Sequence, residues 1–108
     1  MKRLLILVVA SLVSLPARGE SVTVKYGGVV DLKPFECTSI SRSSFVNRIC
    51  YDKTEKYMLI LLHNTYYHYC GIDSNTVSQL LGAGSIGHFY NTNIKGHFDC
   101  RMIPPPRY

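Results

Sequence analysis

Four cysteines and a short run of tyrosine and histidine hold most of the reactive potential of this 108-residue chain. Cys37, Cys50, Cys70 and Cys100 form an even set. Zinc would favour closely spaced pairs of the Cys-x-x-Cys kind, and none is present. A Cys–His nucleophile needs a free thiolate, which an even set in an oxidising compartment seldom leaves. Two disulfides are therefore predicted. His63, His68, His88 and His97 sit on separate stretches without a short ligand pair, so neither a metal nor any other cofactor is expected.

Acid–base chemistry finds equally little purchase. Asp52 and Glu55 fall in a turn, Asp73 reads as a helix cap, and Asp99 adjoins a cysteine, so no facing carboxylate pair can be read. Gly82-Ala83-Gly84 lacks the lysine of a phosphate loop, and no serine lies in a nucleophile elbow. An enzymatic role has no support from these residues. Tyr66, Tyr67, His68 and Tyr69 remain as candidate binding residues, an aromatic platform for a base, a sugar or a peptide side chain. The competing use of such tyrosines is to fill a half-buried sheet.

The elements that must position these residues begin with residues 1–19, which follow the three-part grammar of a secretory signal peptide. Lys2 and Arg3 precede an apolar run over residues 4–15, and Ala17-Arg18-Gly19 sets up a cut before Glu20. That run is too short for a membrane-spanning helix, which needs about 20 residues. Cleavage removes Lys2, Arg3 and Arg18, leaving 9 basic residues against 7 acidic ones and lowering the net charge from +5 to +2. The precursor's basic character is therefore poor evidence for a nucleic-acid partner. Export places the mature chain in the periplasm or outside the cell, where its disulfides persist.

Residues 20–42 read as an N-terminal arm that can contribute at most a short edge strand, because Lys33-Pro34 limits its length. Residues 45–51, 56–62 and 65–70 have the composition of strands joined by short links, which makes them an antiparallel meander. Helical spacing follows. Asp73 caps a helix with Val77, Leu80 and Leu81, and Ser85 caps a second with Ile86, Phe89, Tyr90 and Ile94. The predicted fold class is α+β: a three-stranded antiparallel meander followed by two short helices packed on one face, stapled by two disulfides. Residues 104–108 close the chain as a proline-rich, extended tail.

Turn positions then set a register. With the first turn centred between Lys53 and Thr54, Cys50 faces Tyr57, and with a two-residue link at His63-Asn64, Tyr57 faces Cys70. Alternation puts Phe45, Ile49, Met58, Ile60, Leu62, Tyr67 and Tyr69 under the helices. Val46, Cys50, Tyr57, Leu59, Leu61, Tyr66, His68 and Cys70 go to a second face too apolar to lie bare. In this register Cys50 and Cys70 stand about 9.5 Å apart, beyond bridging reach. Cys37–Cys50 with Cys70–Cys100 is thus preferred, and Cys37–Cys100 with Cys50–Cys70 stays open, since sequence does not fix connectivity.

Ordered short motifs run through this region: Ser43-Ser44-Phe45-Val46, Tyr51-Asp52, Tyr67-His68-Tyr69, Leu80-Leu81-Gly82-Ala83, Ser85-Ile86-Gly87, and Phe89-Tyr90-Asn91 leading to Ile94. With them, residues 43–103 resemble the KTSC domain, a small module found at the C-terminus of some lysyl-tRNA synthetases and alone in bacterial proteins. The resemblance implies an association with RNA through the synthetase. The signal peptide, the four cysteines and the nearly neutral mature charge depart from that setting. They favour an exported, non-catalytic interaction module that binds a protein or envelope component. A nucleic-acid binder using Arg42, Arg48, Lys53, Lys56, Lys95 and Arg101 is the alternative, and a small secreted hydrolase or inhibitor is a third.

Overall fold

A computed structural model describes residues 19–108, so the signal-peptide reading of residues 1–18 lies outside the described residues. Six strands form one mixed sheet: β1 (Ser21–Val24), β2 (Gly28–Asp31), β3 (Glu36–Ser39), β4 (Val46–Asp52), β5 (Tyr57–Leu62) and β6 (Thr65–Cys70). Their spatial order is β2-β1-β6-β5-β4-β3. Two helices follow, α1 (Ser74–Gly82) and α2 (Ile86–Phe89), the latter running on into a π-helical turn over Tyr90–Ile94.

The predicted three-stranded meander is therefore corrected to a six-stranded mixed sheet. β4, β5 and β6 pair as consecutive antiparallel neighbours, but the arm supplies three further strands. The reason lies in the length of its segments. Four residues put only two side chains on each face, too few for an alternation to register. β1 and β2 form a hairpin whose turn has Tyr26 at φ 67° and Gly28 at φ 74°. β1 then pairs parallel with β6 through Val24↔Tyr66, a contact made by a distant stretch of chain that local turn signals do not reveal. β3, reading Glu-Cys-Thr-Ser, has almost no apolar signal and pairs antiparallel with β4.

Each sheet face carries its own core. Ile49, Met58, Ile60 and Tyr69 pack beneath Val77, Leu80, Ile86, Tyr90 and Ile94 of the helices. On the other face Cys50, Tyr57, Leu59 and Cys70 are covered by Val24, Val30, Leu32 and Phe35. The arm is what hides the second apolar face.

Two details of register are also corrected. Cys50 faces Leu59, not Tyr57, because the turn after β4 brings Asp52 opposite Tyr57. A shift of two residues preserves which face each side chain takes, so the face assignment survives it. Val46 does change face: the pairing shifts between Val46 and Arg48, and Val46 joins the core under the helices.

Two disulfides hold the flanking segments to the sheet. Cys37–Cys50 joins directly opposed residues of β3 and β4, and Cys70–Cys100 ties the end of β6 to the segment after the π turn. The tail is also anchored, not loose. The Tyr108 ring stacks on Tyr57 at 5.6 Å and meets Phe35 at 5.1 Å, and its hydroxyl donates to Oδ2 of buried Asp52 at 2.8 Å.

Candidate functional site

Two of the depressions on the surface of the described residues are built from different parts of the chain. The larger, an open groove of about 680 Å³, lies along the β6 edge. Its floor is Tyr67, His68 and Tyr69, one wall is Lys25 and Tyr26, and the other runs from Gly96 to Arg101 with Pro105 beyond.

Local chemistry explains each wall. Tyr26, in the turn after β1, has a left-handed backbone and is 86% exposed as a residue, an unusual cost for one serving only the fold. Lys25 Nζ lies 5.6 Å from the Tyr26 ring centre and 5.9 Å from that of Tyr67, so cation and rings form one patch. On the far wall Cys70–Cys100 fixes the segment, and Arg101 pairs with Asp99 at 2.7 Å. That guanidinium pulls the Asp99 carboxyl down to about 2.

His68 occupies the middle of the floor. Its Nδ1 shares a 2.9 Å hydrogen bond with the Tyr57 hydroxyl. Burial lowers the imidazole's pKa and the charge of Asp99 opposes that shift, while burial pushes the Tyr57 phenol up to about 12. Gly27 closes over the imidazole so tightly that a Cβ there would lie 3.0 Å from Nδ1. The dyad is thus neutral near pH 7, and its phenol is buried.

Of the remaining candidates, Tyr66 and Tyr69 have bonds within the fold. Tyr69 is buried, and its hydroxyl bonds that of Tyr90 at 2.6 Å. The hydroxyl of Tyr66 accepts from Arg48, which also binds Glu20 at 2.6 Å. Tyr67 is half-buried against the helix-side core, with its edge in the groove. Groove and candidates therefore overlap at Tyr67, His68 and Tyr69, while Tyr66 is engaged elsewhere. Sequence reasoning missed Lys25, Tyr26, Phe98 and Pro105; the one available signal was the Gly27-Gly28 break, which marks a turn just after Lys25-Tyr26.

The second depression, about 440 Å³, is polar and lined by Arg42, Ser43, Ser44, Phe45, Ser85, Gly87, His88 and Asn91, among others. Its groups have structural duties. Ser43 Oγ accepts from Val46 N, Ser85 caps α2 through His88 N, and Arg42 donates to the carbonyls of Leu81 and Ala83 at the end of α1. Gly87 lets α2 press onto Phe45, since a Cβ there would lie 2.6 Å from the ring.

These positions are the motif residues noted in the sequence, and the KTSC domain family model matches residues 42–98. The chain belongs to the KTSC domain family. A crystal structure of a KTSC domain protein from Yersinia pestis is similar at 27% identity and a TM-score of 0.56, covering 60% of this chain and 92% of that one. No curated protein matches. Most of the groove's walls, Lys25, Tyr26, Asp99, Cys100, Arg101 and Pro105, fall outside the matched KTSC segment, whereas the polar depression lies wholly within it.

Proposed function

We propose that this KTSC domain protein is an exported, non-catalytic binding module whose recognition surface is the groove along β6. The observation that carries the reading is the Lys25–Tyr26–Tyr67 patch, which exposes a large ring and a cation where the fold gains nothing from either. Export is supported by two disulfides with no free cysteine and by Glu20, whose carboxylate binds Arg48 just beyond the expected cleavage site. Among the described residues no helix is long and apolar enough to cross a membrane.

A binding role is favoured over catalysis because the groove's titratable groups are not poised for proton transfer. The phenol of Tyr57 is buried, and Asp99 is spent on Arg101. Nucleic acid is disfavoured because three of the six cations that would contact it, Arg42, Arg48 and Arg101, are bound to protein oxygens.

Photo-crosslinking in the producing cell tests the reading. A benzophenone side chain replacing Tyr26 should crosslink a partner, and the same group replacing Ser44 in the polar depression should not. The opposite pattern would move recognition to the motif pocket. Mass spectrometry of the exported protein should show residue 20 as its first residue, and a mass retaining residues 1–19 would contradict cleavage.

A further inference from the structure

Along a strand, the N–H and C=O of one residue point to one edge and those of the next residue to the other. The Tyr66 carbonyl accepts from Lys25 N at 2.8 Å, and Cys70 N donates to the Phe98 carbonyl at 2.8 Å. Both residues therefore turn their backbone groups away from β5, and so must His68 between them. β1 cannot serve His68, because it meets β6 only at Val24↔Tyr66 and then folds back at Tyr26, with Gly27 N donating to the Val24 carbonyl. No described residue bonds the N–H or C=O of His68 on this side. His68 is itself one of the residues that line the groove.

The geometry of these two backbone groups restricts what can pair with them. A strand residue's N–H and C=O are complemented by the C=O and N–H of another extended residue, the pairing used when a peptide adds to a sheet edge. Tyr66 and Cys70 bracket roughly 13 Å of edge, room for about three extended residues before Lys25 or Phe98 blocks the way. A long strand does not fit; a short segment crossing the groove does. Charge narrows the choice further. Arg101 is paired with Asp99, whereas Lys25 has no carboxylate partner among the described residues.

We propose that the groove binds a short, extended, carboxylate-bearing peptide segment of another protein, one residue of which pairs with the backbone of His68 while Lys25 holds the carboxylate. The proposal rests on the groove being the recognition surface, and adds to it the class of ligand and the groups that read it.

The test is amide NMR of the mature, oxidised protein titrated with a pool of acetylated, amidated pentapeptides, glutamate fixed at the centre and the other positions varied. The His68 amide should move downfield. Replacing the central glutamate by glutamine, or Lys25→Gln in the protein, should weaken binding about 1.5–5-fold, the size of an exposed ion pair. A pool with N-methylated backbones should leave the His68 amide unmoved. Shifts at Tyr26 and Tyr67 without one at His68 would overturn the backbone pairing and leave the groove as a binding surface. Silence throughout the groove would overturn both. A His68 shift that grows with protein concentration alone would place a second copy of the chain there and contradict the proposal.

Discussion

The matched KTSC segment and the shell around it use polar residues in opposite ways. Inside residues 42–98 the motif groups are consumed by the fold: the Tyr51 hydroxyl donates to the Ile72 carbonyl, Asp52 accepts from Thr54 and Glu55, Tyr69 bonds Tyr90, and Ser85 caps α2. In the shell, Lys25 and Tyr26 project into an open groove, and Arg101 sits on its rim. On the proposed reading, the family motifs supply the scaffold and the groove's floor, Tyr67 to Tyr69, while most of its walls come from segments that the family pattern does not cover.

The sharpest way to break that comparison is to injure each region and ask what is lost. Tyr69→Ala empties a buried site and unpairs the Tyr90 hydroxyl. It should cost about 3–5 kcal/mol in chemical denaturation, enough to threaten a domain this small. If the variant stays as stable as the parent and loses only binding, the motif tyrosine belongs to recognition and the division fails.

Next in size are the disulfides. Replacing Cys70 and Cys100 by serine opens a 30-residue separation and should cost about 3–4 kcal/mol, against about 3 kcal/mol for the 13-residue Cys37–Cys50 separation. Only the first should also disturb the groove, because it frees the wall that carries Asp99 and Arg101.

Tyr108→Phe keeps the stacked ring and removes the phenol that donates to buried Asp52. A loss of about 1–3 kcal/mol is expected from the unpaired carboxylate oxygen. An unchanged melting curve would mean that the tail is held by stacking alone.

Much of this arrangement is legible in the sequence, and the illegible part has a physical cause. The antiparallel pairing of β4 with β5 and of β5 with β6, the caps at Asp73 and Ser85, and the face assignment of Tyr67 and Tyr69 follow from periodicity and turn chemistry, which are local, whereas the three-stranded sheet expected from them is only part of the six-stranded one. Cys37–Cys50 and Cys70–Cys100 are the pairing that the register favours, although that register placed Cys50 two residues off. The arm's strands escape notice because four residues carry too little alternation, and the β1–β6 contact is non-local. Tyr26 escapes notice for the same reason: nothing nearby in sequence shows that it and Tyr67 line one groove. The tail's clasp depends on Phe35 and Tyr57, both far away in the chain.

Smaller effects sharpen the picture of the groove itself. Because the folded state lowers the pKa of His68, protons bind the unfolded chain first as pH falls below about 6.5. The stabilising contribution is therefore complete above that pH, and is lost between it and the lower folded pKa. His68→Gln should flatten this part of the stability–pH curve, and an unchanged slope would mean that another group is responsible. Smallest of all, Tyr26→Ala should change stability by less than about 0.5 kcal/mol, because the ring is exposed. A large loss would make Tyr26 part of the scaffold.

The open strand edge is most directly tested by native-state hydrogen exchange of three consecutive amides in β6. Tyr67 and Tyr69 pair with Ile60 and Met58 and turn their amides to β5, while His68, which lines the groove, turns its own to the other edge. The Tyr67 and Tyr69 amides should exchange only through large-scale opening, and the His68 amide should exchange orders of magnitude faster. Equal protection at all three would mean that the edge is already closed, contradicting a recognition site built around His68.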